Sequence, residues 1–224
     1  DVVIATPPFS LKQWGHENWA SDPHRRSEYG GVPPKNQGDY AWVQHMLASA
    51  SPDGGRVGVV MPHGVLFRSG AEAKIRQHLI ESDLLEAVIG LPANLFYGAG
   101  IPACLLIFRK EKAAGDKGKV RIVDGSKRFV AGRAQNSLSD QDVAALFEAY
   151  TDTDAEIENV KQAVVDVSEI EANDWDLNIG RYIEQDTAEI IDTAEALKAL
   201  RQAEQNTAEA QAAMDQRLKA AGYA

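Results

Sequence analysis

The sequence predicts an α/β protein: a parallel sheet with helices on its faces, followed by one long C-terminal helix. Two patterns predict it. Over residues 1 to about 110, short β-branched runs alternate with stretches of helical periodicity, as in a sheet whose crossovers are helices. From Asp186 to Ala220 there is no Pro or Gly, and Ala, Glu and Gln dominate, which argues for a single uninterrupted helix. A third observation bounds both: 44% of the 224 residues are hydrophobic and 25% charged, enough apolar material for one sizeable core and an appendage.

Taken in order, the first strand is Asp1 to Ala5, a β-branched run with no lead-in, which reads as a buried strand. An opening this abrupt suggests a piece of a longer protein. Tyr40 to Ser51 is a helix, with Trp42, Met46 and Leu47 spaced for one buried face. Strands follow at Arg56 to Met61, Leu85 to Leu91 and Ala103 to Phe108, with a helix at Glu72 to Glu81 between the first two of these. Three strands run into turns rich in Pro or Gly: Thr6-Pro7-Pro8, Pro62-His63-Gly64 and Pro92. Open α/β sheets bind ligands at the carboxyl ends of their strands, so chemistry is expected at these turns. Residues 111 to 120 are a charged surface loop, Arg121 to Asp124 a further strand, and the rest to about Arg181 a mixed stretch. The expected division is 1–138, an acidic connecting segment 139–183, and a helical tail 184–224. In the tail, Ile190, Leu197 and Leu218 share one heptad row and Leu200 and Met214 the other. Glu204, Thr207 and Gln211 interrupt the seam, leaving a weak coiled coil at best.

The net charge of -10 is unevenly spread. Residues 1–138 carry 17 Lys and Arg against 13 Asp and Glu, whereas residues 139–224 carry 6 against 20. Phosphate neutralisation needs cations, so any nucleic-acid surface belongs to the first part, and the acidic part faces solvent or a protein partner. The single Cys104 lies in an apolar run, which excludes a disulfide framework and fits a reducing cytoplasm. No run of about 18 apolar residues suggests a membrane span. His16, His24, His45, His63 and His78 lack metal-ligand spacing, and no metal is expected.

The chemistry concentrates in Asp1-Val2-Val3-Ile4-Ala5-Thr6-Pro7-Pro8-Phe9, a strand running into a rigid Pro-Pro turn capped by an aromatic. It resembles the catalytic loop of amino-methyltransferases, in which Asn or Asp is followed by Pro-Pro and then Phe or Tyr. An exocyclic amine is a poor nucleophile because its lone pair is delocalised into the base. Two acceptors, the first side chain and the next carbonyl, take its N–H hydrogens and let the nitrogen pyramidalise. The prolines fix φ and remove competing donors. The aromatic stacks on a base flipped out of the duplex.

Further blocks follow in order: Ser10 to Gly15, Gly38 to His45, Gly54 to Phe67, Leu91 to Pro102 and Asn173 to Tyr182. Together they are similar to the modification subunits of type I restriction-modification systems, adenine-N6 DNA methyltransferases. The resemblance implies the C-terminal part of a Rossmann-like methyltransferase sheet. It implies S-adenosylmethionine as cofactor, with Thr6, Pro7, Pro8 and Phe9 as catalytic positions. Its partners would be DNA, a specificity subunit docked on the C-terminal helix, and a restriction subunit.

Two departures from the family pattern qualify this. The family's Asn is Thr6 here, whose hydroxyl sits closer to the backbone and carries a proton of its own, so a loss of about 10² to 10³ in rate is expected. The family's Gly-rich donor turn belongs upstream of the catalytic loop, hence upstream of Asp1. Phe96-Tyr97-Gly98-Ala99-Gly100 spells a similar motif but precedes a strand, and is expected to be a loop beside the DNA cleft. Asp39 reads most simply as a helix N-cap and secondarily as a cofactor contact. Lys12, Arg25, Arg26 and Lys35, interleaved with Trp14, Trp19 and Tyr29, are candidates for phosphate contact or a solvated loop. Alternative readings are a catalytically impaired subunit with an assembly role, and a protein glutamine methyltransferase.

Overall fold

A computed structural model describes residues 1–98, 100–183 and 193–223. The chain divides into two compact units, Asp1–Glu184 and Gln185–Ala224. In the first, six strands form one sheet: β1 (Val2–Ala5), β2 (Arg56–Pro62), β3 (Leu85–Gly90), β4 (Ala103–Arg109), β5 (Lys119–Asp124) and β6 (Lys161–Asp166), in the order β1-β2-β4-β3-β5-β6. The helices are α1 (Asp39–Ser49), α2 (Ala71–Glu81), α3 (Asp140–Thr151) and the short α4 (Val167–Ala172).

The sheet is mixed rather than parallel throughout. β1 pairs parallel with β2 and β3 parallel with β5, but β4 runs antiparallel between β2 and β3, and β6 antiparallel to β5. The cause is the link from β3 to β4. Among the described residues it carries no helix, the usual vehicle of a parallel return. The chain therefore doubles back beside β3. β1, β2, β3 and β5 keep a common direction, and their carboxyl ends share one edge of the sheet.

Side-chain alternation sends Val57, Val59 and Met61 of β2 to one face, where they meet Val43, Met46 and Leu47 of α1 and Ile75, Leu79 and Ile80 of α2 in the main core. Cys104, inside β4, is buried in this core, and burial pushes its thiol well above the ordinary range. On the other face α3 packs Leu146, Ala149 and Tyr150 against Ala87, Ile89 and Val123. β3, between two strands and under both layers, is buried at every position. The register of β3 slips between Leu85 and Ala87. There Glu86 is buried and held by Arg109 at 2.8 Å and the Tyr150 hydroxyl at 2.5 Å.

The segment 139–183 is more ordered than a connecting stretch. It supplies α3, β6 and α4 to the same unit, and α3 opens on a capping box in which Ser139 and Asp142 satisfy one another's backbone N–H groups. β1, expected to be buried, is covered on one face only. Val3 and Ala5 pack on the main core, while Val2 is 64% and Ile4 79% exposed. These two side chains line an apolar groove with Val60, Ile107, Val143 and Phe147.

In the second unit, the helix expected over Asp186 to Ala220 is found as α5 (Thr193–Ala220). Ile190 and the rest of residues 186–192 lie outside the described residues. Leu197, Leu200, Met214 and Leu218 are all substantially exposed on α5. Among the described residues, no helix is long and apolar enough to cross a membrane.

Candidate active site

The strand β1 delivers Thr6 to the edge where the carboxyl ends of β1, β2, β3 and β5 meet. Thr6 and Pro8 are exposed, Pro7 is buried and Phe9 half-buried. The ring of Phe9 meets that of Phe96 edge-on, with centroids 5.5 Å apart and planes at 71°. Phe96 lies in the loop between β3 and β4, the loop that sequence reasoning placed beside the cleft; Ala99 of that loop lies outside the described residues. The loop's base is braced from residues 135–136. Asn136 donates its backbone N–H to the Asn94 carbonyl at 2.8 Å and its side-chain amide to the Ala93 carbonyl at 3.0 Å, and Gln135 donates to the Leu95 carbonyl at 2.6 Å.

Immediately after Phe9 the chain turns sharply. Ser10 has φ +51°, a left-handed conformation that costs an L residue about 1–2 kcal/mol. Its backbone N–H donates to Asp39 Oδ1 at 2.6 Å, and its hydroxyl lies 3.4 Å from Asp39 Oδ2. One residue on, the Leu11 carbonyl accepts the Gly38 N–H at 3.0 Å. Trp14 lies against Gly38 so closely that a Cβ there would fall 2.8 Å from the indole, and its N–H donates to the Pro34 carbonyl at 3.0 Å.

Asp39 is thus not the N-cap the sequence suggested. It is the first residue of α1, Gly38 occupies the cap without a side-chain bond, and the Asp39 carboxylate reaches across to Ser10. The residue is fully buried, and its second oxygen accepts Arg68 at 2.8 Å. Arg68 also bonds both oxygens of Glu72 at 3.1 Å. Burial raises the Glu72 carboxyl above its ordinary range, against the pull of Arg68. The buried Arg76 beside them donates to the carbonyls of Val65, Arg68 and Trp175. Ser10, Arg68 and Glu72 were not singled out from the sequence; Arg68 and Glu72 stand four residues apart, a spacing that could have paired them, but nothing in spacing marks the contacts of Ser10 and Arg68 with Asp39, each 29 residues away.

His63 follows β2 on the same edge. Its Nε2 is buried and, among the described residues, has no hydrogen-bond partner. Burial pushes its pKa below the ordinary value, while the nearby Asp124 carboxylate pulls the other way.

The four candidate DNA-contacting cations divide. Lys12 and Lys35 are exposed to solvent. Arg25 is exposed and pairs with Glu28 at 2.6 Å. Arg26 is turned inward: it lies 4.2 Å over the Trp19 ring and bonds Asp22 at 2.7 and 2.9 Å, holding that carboxyl well below the usual range.

The arrangement is therefore a Pro-Pro-aromatic loop at the carboxyl end of a sheet strand, clamped by α1. Residues 1–190 match the family described as N-6 DNA Methylase. The chain belongs to this family. Among curated proteins, the methylase subunit of the type I restriction enzyme MjaVII of Methanocaldococcus jannaschii is 37% identical over 191 residues, covering 82% of this chain and 32% of that protein. The HindI methylase subunit of Haemophilus influenzae is 30% identical over all of this chain and 52% of its own length. Among solved structures, the type I restriction-modification methyltransferase subunit of Streptococcus thermophilus superposes with a TM-score of 0.73 at 35% identity, over 82% of this chain and 38% of that one. The chain thus spans about a third to a half of the length of the methylases it matches.

Proposed function

We propose that this N-6 DNA methylase chain supplies the target-adenine pocket of an adenine-N6 methyltransferase subunit in a type I restriction-modification system. The observation that carries the proposal is the exposed Thr6 at the head of a Pro-Pro-Phe loop on the carboxyl edge of the sheet, with Phe9 steadied by Phe96. In this pocket the Thr6 hydroxyl and the Pro7 carbonyl accept the two N–H groups of the target amine, and Phe9 stacks on the base. The prolines stiffen the acceptor pair, so little reorganisation is needed when the amine arrives.

The two candidate contacts the sequence offers do not suit S-adenosylmethionine. The Gly-containing run after Phe96 leads into β4 and not into a helix N-terminus, and Asp39 is buried with its oxygens committed to Ser10 and Arg68. Donor binding belongs on this reading to the part of the methylase beyond the span matched here. Of the four candidate cations, the exposed Lys12 and Lys35 suit contact with DNA phosphates. The exposed Leu197, Leu200, Met214 and Leu218 of α5 suit docking of the specificity subunit, with the restriction subunit completing a cytoplasmic complex.

The test is transfer of labelled methyl from S-adenosylmethionine to duplex DNA by the full-length subunit with its specificity subunit. N6-methyladenine at one defined sequence is the expected product; label recovered in protein glutamine instead would defeat the proposal. A second reading, an impaired subunit retained for assembly, is favoured by one observation alone, the threonine at the acceptor position.

A further inference from the structure

Ser10 is held in a left-handed conformation directly after the aromatic of the loop, and no glycine relieves it. One carboxylate holds its backbone N–H. Asp39 Oδ1 accepts the Ser10 N–H at 2.6 Å, and Asp39 itself cannot swing away, because it is fully buried and Arg68 grips its other oxygen at 2.8 Å. Arg68 is anchored in turn by Glu72 of α2. α1 and α2 therefore converge, through Asp39, on the one non-glycine residue of the segment 6–15 with a positive φ.

We infer that Asp39 is a positioning residue for the methyl acceptor: through Ser10 it fixes the direction in which the chain leaves Phe9, and with it the placement of the Pro7 carbonyl and the Phe9 ring. This rests on the reading of that loop as the target-adenine pocket. Asp39 is fully buried. Its influence is geometric and falls on kcat, where small misplacements of reacting groups are costly, and hardly on the KM for DNA.

The experiment uses the full-length subunit in complex with its specificity subunit, comparing the parent, Asp39→Asn and the double variant Asp39→Asn/Ser10→Gly. The amide variant is isosteric and still accepts one hydrogen bond, but its NH₂ opposes either Arg68 or the Ser10 N–H, so the lock is lost while the fold is kept. Hydrogen exchange at the Ser10 amide should rise about tenfold or more in Asp39→Asn. Its kcat should fall by about 10- to 100-fold, with KM for DNA within about twofold of the parent. Glycine enters the left-handed region without strain, so the double variant should recover about tenfold in kcat. Unchanged exchange, or unchanged kcat despite faster exchange, overturns the inference. So does a kcat loss that follows a drop in thermal stability and is not recovered by Ser10→Gly, which would mark Asp39 as a fold residue only. A parent complex that methylates no adenine defeats the pocket reading, and the inference with it, even where exchange at Ser10 responds; the two failures are thereby told apart.

Discussion

The ring of Phe9 packs edge-on against the ring of Phe96, centroids 5.5 Å apart at 71°, and this contact ties the loop after β1 to the loop between β3 and β4. Aromatic pairs in this geometry contribute about 0.5–1.5 kcal/mol beyond the area they bury. A double-mutant cycle of Phe9→Leu and Phe96→Leu in the full-length subunit, read by chemical denaturation, should return a coupling of about that size. Strict additivity would mean that the two loops are held independently.

Thr6 stands where the family resemblance places an asparagine, and it is exposed at the mouth of the loop. An amide oxygen reaches farther and accepts without carrying a proton on the same atom. Thr6→Asn in the full-length subunit is expected to raise the single-turnover methylation rate by about 10²- to 10³-fold, the worth of one preorganised acceptor. A rate equal to the parent's would show that something other than Thr6 limits catalysis.

How far these features were legible in the sequence depends on the range of the interactions that make them. The strands β1 to β5 and the helices α1 and α2 follow from local periodicity, and were found within a residue or two. The antiparallel placement of β4 was missed because periodicity carries no direction; only the helix-free link after Leu91 hints at it. α3 and β6 hid in an acidic stretch read by its charge, although Ser139 and Asp142 spell a capping box. The loop residues Thr6 to Phe9 were legible as a motif. Their support was not: Asp39 meets Ser10 across 29 residues, and Phe96 meets Phe9 from another connection altogether. Such contacts are set by tertiary packing, on which a local pattern is silent.

His63 supplies a pH dependence of defined sign. Its folded pKa is depressed by burial, so the unfolded chain binds the proton more readily. The contribution of neutral His63 to stability is complete above the unfolded value of about 6.5 and declines as pH falls from there towards the folded value. His63→Gln removes the titration. Thermal melts at pH 7.5 and 5.0 should therefore show a smaller acid-induced loss of Tm in the variant than in the parent. Equal losses would mean that His63 takes up its proton within the fold without penalty.

The basic loop makes a prediction that separates charge from structure. Lys35 is exposed, whereas Arg26 is spent on Asp22 and the face of Trp19. A lysine on a phosphate releases counterions, so Lys35→Ala should lower DNA affinity at every sequence and reduce the slope of log affinity against log salt by about 0.9. Arg26→Ala should leave that slope within error, because its charge is already neutralised by Asp22. Its cost should appear in stability, about 1 kcal/mol or more for a partly buried, hydrogen-bonded cation stacked on an indole. Salt-dependent DNA titrations and chemical denaturation of both variants decide the matter: a salt slope that moves with Arg26 and not with Lys35 would invert the assignment and place the phosphate track along the Trp19 side of the loop.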